Sequence, residues 1–187
     1  MYKDGFSDFE IKNGRIKFND EPKAQPIGCV GSFEETMNKK EITKKCEGVI
    51  EKTTVKGDGT GELKVSLHIK YEAFVKGFGM DLKTLKDGVY AYGRNSVHRH
   101  FAYTTDVFDE EGDRKLKAYP DCVFTDFIAR KIENGAEEVA EVEGTIKVSP
   151  DEYGNGMYEA IATDVDEEIT NQWIENFTPE LVKLIQV

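Results

Sequence analysis

The stretch GELKVSLHIK, residues 61–70, alternates apolar and polar side chains without a break. Leu63, Val65, Leu67 and Ile69 fall on one side of an extended chain, and Lys64, Ser66, His68 and Lys70 fall on the other. Successive side chains of a strand point to opposite faces, so this period of two predicts a half-buried strand. The same period recurs along most of the chain. In FEIKNGRIKF (9–18), Asn13-Gly14 stands between two alternating arms. Both residues take positive φ readily, which predicts a hairpin. Residues 49–56 run into GDGTG (57–61), whose glycines predict a tight reversal into the 61–70 strand. Residues 97–108 and 114–124 predict a hairpin about DEEGD (109–113). Val142, Ile146 and Val148 alternate with Glu141, Glu143, Thr145 and Lys147, and MYEAIAT (157–163) adds a strand after PDEYGNG (150–156).

Two regions depart from the strand period. YEAFVKGF (71–78) places Phe74 and Phe78 four apart and predicts a short helix ended by Gly77 or Gly79. The tail from Asp164 puts Ile169, Trp173 and Phe177 on one helical face. Acidic residues crowd its start, where the helix dipole favours them. Thr178-Pro179-Glu180 reads as a cap and first turn of a second short helix. SFEETMNKKEITKKCEG (32–48) is dense in charge with weak periodicity, and an extended arm, a loop and a solvated hairpin all fit it. The expected architecture is one mainly antiparallel β domain over residues 1–187, a β-sandwich or partial barrel with one short flanking helix and a helical C-terminus.

Composition narrows the function classes. The chain has 187 residues, 33% of them charged, and a formal net charge of −11. High-affinity nucleic-acid binding needs a concentrated positive surface, so DNA is expected at most as something enclosed without being gripped. Cys29, Cys46 and Cys122 are widely spaced with no CxxC pair, which predicts free thiols in a reducing compartment. The N-terminus shows no basic region followed by an apolar run. No apolar stretch approaches the roughly 20 residues of a membrane span, so no membrane partner is expected.

Chemical motifs are sparse. In a strand over 97–108, His98 and His100 would share a face as metal ligands do, yet a zinc site takes roughly three or four ligands. His68 and Cys122 would complete the set only through an unproven strand pairing, and a structural or surface role is the expectation for the histidines. DEEGD lacks the length and spaced oxygens of an EF-hand loop, and GDGTG lacks the Lys-Ser/Thr of a phosphate loop. The acidic pairs Glu34-Glu35, Glu110-Glu111, Glu137-Glu138 and Glu167-Glu168 fall on charged segments, where solvated roles outnumber acid–base ones. No GxSxG occurs. No catalytic residue, cofactor or metal is therefore expected. A small β-barrel binding protein or enzyme, with Tyr90, Tyr92, His98, His100 and Tyr103 lining a pocket, is the rival class.

The order of features resembles the major tail proteins of phages with long, non-contractile tails that infect Gram-positive bacteria. The likeness rests on TTVKGDGTGELKVSLHIKYEAFVKGFGM (53–80), GVYAYG (88–93) and FAYTTDVFDEEGDRKLKAYPDCVF (101–124), and spans roughly residues 45–163. It implies a tail-tube fold assembled as stacked hexameric rings around a DNA channel. It also implies a virion location after assembly in the host cytoplasm. The implied partners are further copies of the chain and the tape-measure, tail-terminator and tail-tip proteins. Tubes of contractile tails, tailocins and type VI secretion systems share that architecture. Within this reading, the charged segment is the candidate contact between subunits or rings, through Glu34, Glu35, Lys39, Lys40, Glu41, Lys44 and Lys45. The polar strand faces Glu141, Glu143, Thr145, Lys147 and Lys64, Ser66, His68 are candidates for the channel wall.

Overall fold

The computed structural model describes residues 5–126, 132, 134–135 and 139–184. Leu63, Val65 and Leu67 are buried while Lys64 and His68 face solvent, as the alternation requires. They lie on β4 (Val49–Ile69), the longest strand, which runs antiparallel to β3 (Gly28–Cys46) on one edge and β7 (Val142–Ser149) on the other. The remaining strands are β1 (Glu10–Phe18), β2 (Gln25–Pro26), β5 (Phe101–Phe108), β6 (Arg114–Phe124) and β8 (Tyr158–Ile161). The sheet path is β2-β1-β5-β6-β7-β4-β3, with β8 pairing β6 off that path.

The two ends of this path, β2 and β3, are separated in the chain by Ile27 alone. The chain leaves β1 through β2 and joins β4 through β3, so the sheet curls back on itself as a partial barrel. Two backbone hydrogen bonds fasten the junction: Ile27 N–H donates to the Gly14 carbonyl at 3.0 Å, and Lys70 N–H donates to the Ile27 carbonyl at 2.8 Å. The core fills the curl. Ile16, Phe18, Leu63, Leu67, Phe101, Phe124, Ile146 and Val148 come from the strands. Helix α1 (Tyr71–Gly77) adds Ala73, Phe74 and Val75, with Phe78 just beyond it. Phe78 stacks on Phe124 at 5.0 Å between ring centroids. Helix α2 (Glu167–Asn176) covers a second cluster, in which Trp173 and Phe177 pack on Leu116 and Ala118 of β6, with Ile169 at the margin. A 3-10 turn over Pro179–Val182 follows, with extended Thr178 before it.

Two turn expectations are corrected. Asn13-Gly14 makes no hairpin: β1 runs through it, and both arms pair with the same strand, β5. The register slips between Lys12 and Arg15, and Asn13 takes φ 57°, so the pair forms a bulge. The Asn13 amide donates to Asp106 at 2.7 Å, which holds the bulge against β5. GDGTG makes no reversal either. β4 passes through it with a bulge opposite Asn38, Gly59 at φ 77°, and the Thr60 N–H held by the Asp58 carboxylate at 2.9 Å. The reversal lies at Glu47 and Gly48, both at positive φ. A Gly-rich step serves a turn or a bulge equally well; here an unbroken partner strand on the far side selects the bulge.

The segment 32–48 is likewise no loop. Of the forms its sequence fits, it takes the hairpin, its residues 32–46 lying in β3 and pairing with β4 as far as Cys46 opposite Val49. The β5–β6 hairpin forms about residues 109–113, but β5 begins at Phe101, so His98 and His100 precede it.

Gly28 sits where the chain changes partners. Its φ is 144°, and an added Cβ would lie 2.0 Å from the His68 carbonyl oxygen. Gly28→Ala is expected to lower stability by about 2 kcal/mol or more, because both backbones must move apart. Thermal unfolding followed by circular dichroism checks this; an unchanged midpoint would mean the junction tolerates a side chain.

Candidate functional site

The strand order places the two candidate channel-wall groups side by side. Lys64 of β4 stands between Glu34 of β3 and Thr145 of β7; Ser66 stands between Ser32 and Glu143; Glu62 stands between Thr36 and Lys147. All of these lie on the face of the sheet opposite the buried Leu63, Val65 and Leu67. His68 continues the row opposite Cys29, at the end of the face. Glu141 reaches over Gly31, where a Cβ would collide with its carboxylate, and accepts a hydrogen bond from the Ser66 hydroxyl at 2.5 Å. Carboxylates dominate the face: Glu34, Glu62, Glu141 and Glu143 are joined by Asp126 at its margin, against Lys64 and Lys147. Lys64 lies 3.9 Å from Glu34, a loose and exposed pair. Lys64, Ser66 and His68 read as basic on their own; Glu62 of the same strand, with Glu34, Glu141 and Glu143, makes the face acidic.

The contact candidates separate by position. Lys39, Lys40, Glu41, Lys44 and Lys45 are all exposed on the β3–β4 hairpin, beyond the point where β7 stops pairing at Gly61 opposite Val148. Past that point the outer edges of β3 and β4 have no strand partner among the described residues. Glu34 belongs to the acidic face. Glu35 turns the other way. Opposite Leu63, it points inward, where its carboxylate accepts hydrogen bonds from the Lys117 ammonium and the Tyr119 hydroxyl. It therefore serves this chain's interior, in correction of its place among the contact candidates. Burial, reinforced by the Glu35 charge, pushes the Tyr119 hydroxyl well above its ordinary range, so it remains a donor. The weak periodicity of 32–48 hid this inward position. Its partner Lys117 is itself signalled only by lying among buried residues of β6.

A hollow of about 560 Å³ opens beside Glu35, between residues 8–11 and 31–35. Here β1 and β3 diverge below the junction at Ile27. Phe9, Ile11, Phe33 and Val107 line it with Asp8, Glu10, Glu34 and Lys117.

The histidines have structural partners. His98 Nδ1 lies 2.6 Å from the Phe124 carbonyl, which only accepts, so Nδ1 carries the proton. Nε2 then accepts from the Tyr92 hydroxyl at 3.0 Å. His100 Nδ1 meets Asp121 at 2.7 Å, and Arg99 pairs with Asp81 at 2.5 Å. His68, His98, His100 and Cys122 do not gather. Among the described residues the one group of three close ligand atoms is Asp109, Glu111 and Asp113, within 4.8 Å, in the β5–β6 turn. There Asp109 accepts from the Glu111 and Asp113 N–H groups and closes the turn. Of the rival pocket's residues Tyr92 and His98 meet, but no pocket gathers them all: Tyr103 is buried in the core, whereas Tyr90 and Tyr92 lie on the surface. The three cysteines are free thiols, Cys122 buried and Cys29 and Cys46 exposed. Among the described residues no helix is long and apolar enough to cross a membrane.

No protein-family model and no curated protein matches the chain. Among solved structures it is similar to a chain of the anti-feeding prophage cap, which terminates that particle's tube. The identity is 10% over 86% of this chain and 97% of that one, with a TM-score of 0.48. It is also similar to a chain of the anti-feeding prophage baseplate, at 11% identity over 86% and 97% of the two chains, with a TM-score of 0.42. Similarity at this level assigns neither a family nor an activity.

The inward and outward carboxylates of β3 are expected to differ sharply on mutation. Lys117→Ala leaves the half-buried Glu35 without its cation and is expected to destabilise the chain by about 2 kcal/mol. Lys64→Ala removes an exposed, loose pair and is expected to change stability by less than about 0.5 kcal/mol. Chemical denaturation of both variants measures the contrast.

Proposed function

We propose that this chain is a structural subunit of a phage tail tube, polymerising as stacked, six-membered rings around a channel through which DNA passes. The observation that carries this reading is the β3–β4 arm. From Lys39 to Gly57 two strands continue past the barrel for about 25 Å at ~3.3 Å per residue, exposed on both faces and open on both edges. A two-stranded ribbon of this kind is marginal alone in water and becomes stable against a neighbouring surface. Monomeric proteins shorten or cover such edges, whereas an assembling chain uses them.

The acidic sheet face supports the same reading. A channel for DNA must not bind phosphate, and Glu34, Glu62, Glu141, Glu143 and Asp126 repel it more than Lys64 and Lys147 attract it. We assign this face to the channel wall and the arm to the contact with a neighbouring subunit or ring. The resemblance read from the sequence adds the type of particle, a non-contractile tail. It also adds the further partners, the tape-measure, tail-terminator and tail-tip proteins, and the place, a virion assembled in the bacterial cytoplasm. The chain's role in this reading is architectural, with no catalytic residue.

The full chain, concentrated at moderate salt, is expected to form hollow tubes or rings in electron micrographs. Replacing Glu41–Val55 by Asn-Gly leaves the Lys40–Lys56 pair to close a shorter hairpin. That variant is expected to stay folded and fail to elongate; normal tubes from it would overturn the assigned role of the arm. Glu141→Lys with Glu143→Lys is expected to convert negligible duplex DNA binding into salt-sensitive binding, measured by fluorescence anisotropy. Binding unchanged by the reversal would remove this face from the channel.

A further inference from the structure

The tip of the arm carries an uncovered apolar surface. Val49 is 70% exposed and Ile50 60%, with Ile42 and Val55 also open, and Lys44, Lys45 and Lys52 are interspersed. A second uncovered surface, aromatic in kind, lies just past the other end of β4. Tyr71 opens α1 and is 57% exposed; Val89, Tyr90 and Tyr92 are open beside it. Tyr71 and Tyr90 meet edge to face at 5.7 Å, and Tyr92 is held in place by its hydrogen bond to His98. These tyrosines are thus ordered by the chain yet left in solvent. Val49 and Ile69 bound a strand about 65 Å long at ~3.3 Å per residue, so the two surfaces lie at opposite ends of the molecule.

The surfaces are unlike and complementary. Tyrosine rings present large, rigid faces that take aliphatic side chains, and their negative π-faces attract ammonium groups. The tip offers both, on a ribbon that needs covering. Two different patches at opposite ends of one chain join head to tail and repeat. Resting on the tube reading, we propose that the arm tip of one copy docks on the Tyr71–Tyr90–Tyr92 surface of the next copy.

The test uses the full chain with a photoreactive benzoyl-phenylalanine in place of Ile50, mixed with isotope-labelled wild-type chain, assembled and irradiated. Adducts between copies are expected at residue 71 and residues 89–92. Tubes whose adducts fall only on the acidic face or in the hollow beside Glu35, or that give no adduct between copies, overturn the proposal and leave the tube reading standing. A wild-type chain that never associates removes both. In parallel, Tyr90→Ala with Tyr92→Ala is expected to raise the concentration needed for assembly about tenfold or more, while the chain stays folded with a melting midpoint lowered by only a few degrees for the lost Tyr92–His98 and Tyr90–Tyr71 contacts. Tyr90→Phe with Tyr92→Phe is expected to restore it. Assembly by the alanine variant at the wild-type concentration would overturn the proposal.

Discussion

Everything in this fold hangs on β4 and its unequal neighbours. From Gly61 to Leu67 the strand is paired on both edges, by β3 and by β7, and its inward side chains are sealed in the core. From Val49 to Gly57 it has β3 alone. One covalent strand is therefore a stave of the barrel at one end and a projecting ribbon at the other. The bulge between Gly57 and Gly61 marks the boundary between the two halves.

The bulges let so long a hairpin leave a curved sheet. Each adds twist and interrupts the ladder only locally, with pairing resumed on both sides. The one at Gly57–Thr60 packs against the loop at Gly154–Gly156, where side chains on Gly59 or Gly156 would strike backbone carbonyls. The one at Asn13-Gly14 brings β1 under Tyr103 and Val30, and an added Cβ on Gly14 would lie 2.9 Å from a Val30 methyl. Barrel closure at Ile27 and Gly28 depends on this second bulge, since the Gly14 carbonyl receives the Ile27 N–H.

Charge follows the same division. With a net charge of −11 the chain still carries a lysine-rich arm, where Lys39, Lys40, Lys44, Lys45, Lys52 and Lys56 outnumber Glu41, Glu47 and Glu51. The carboxylates concentrate elsewhere, including the polar face of β3, β4 and β7. An exposed ion pair adds little stability, so this separation has small consequence for folding. In the proposed tube, its consequence is to keep carboxylates on the channel face and lysines on the arm.

The sequence by itself determined the mainly antiparallel β class, the two helices and inward-facing side chains such as Leu63, Val65, Leu67, Phe74, Ile146 and Trp173. Alternation and helical spacing are local signals, and Leu63 or Trp173 needs no knowledge of its neighbours to be read as inward-facing. The tyrosines of YAYG were legible as a feature but not as an exposed one. Tertiary structure alone decided whether Asn13-Gly14 and GDGTG turn the chain or bulge it, because positive φ serves both and an opposing strand makes the choice. It alone decided that Glu35 faces Lys117 while Glu34 faces Lys64, since adjacent residues of a strand exchange faces with a slip of one in register. And it alone made one acidic surface from a basic row and a mixed one, because a face is composed by strand order, and strand order is fixed by contacts far apart in the chain.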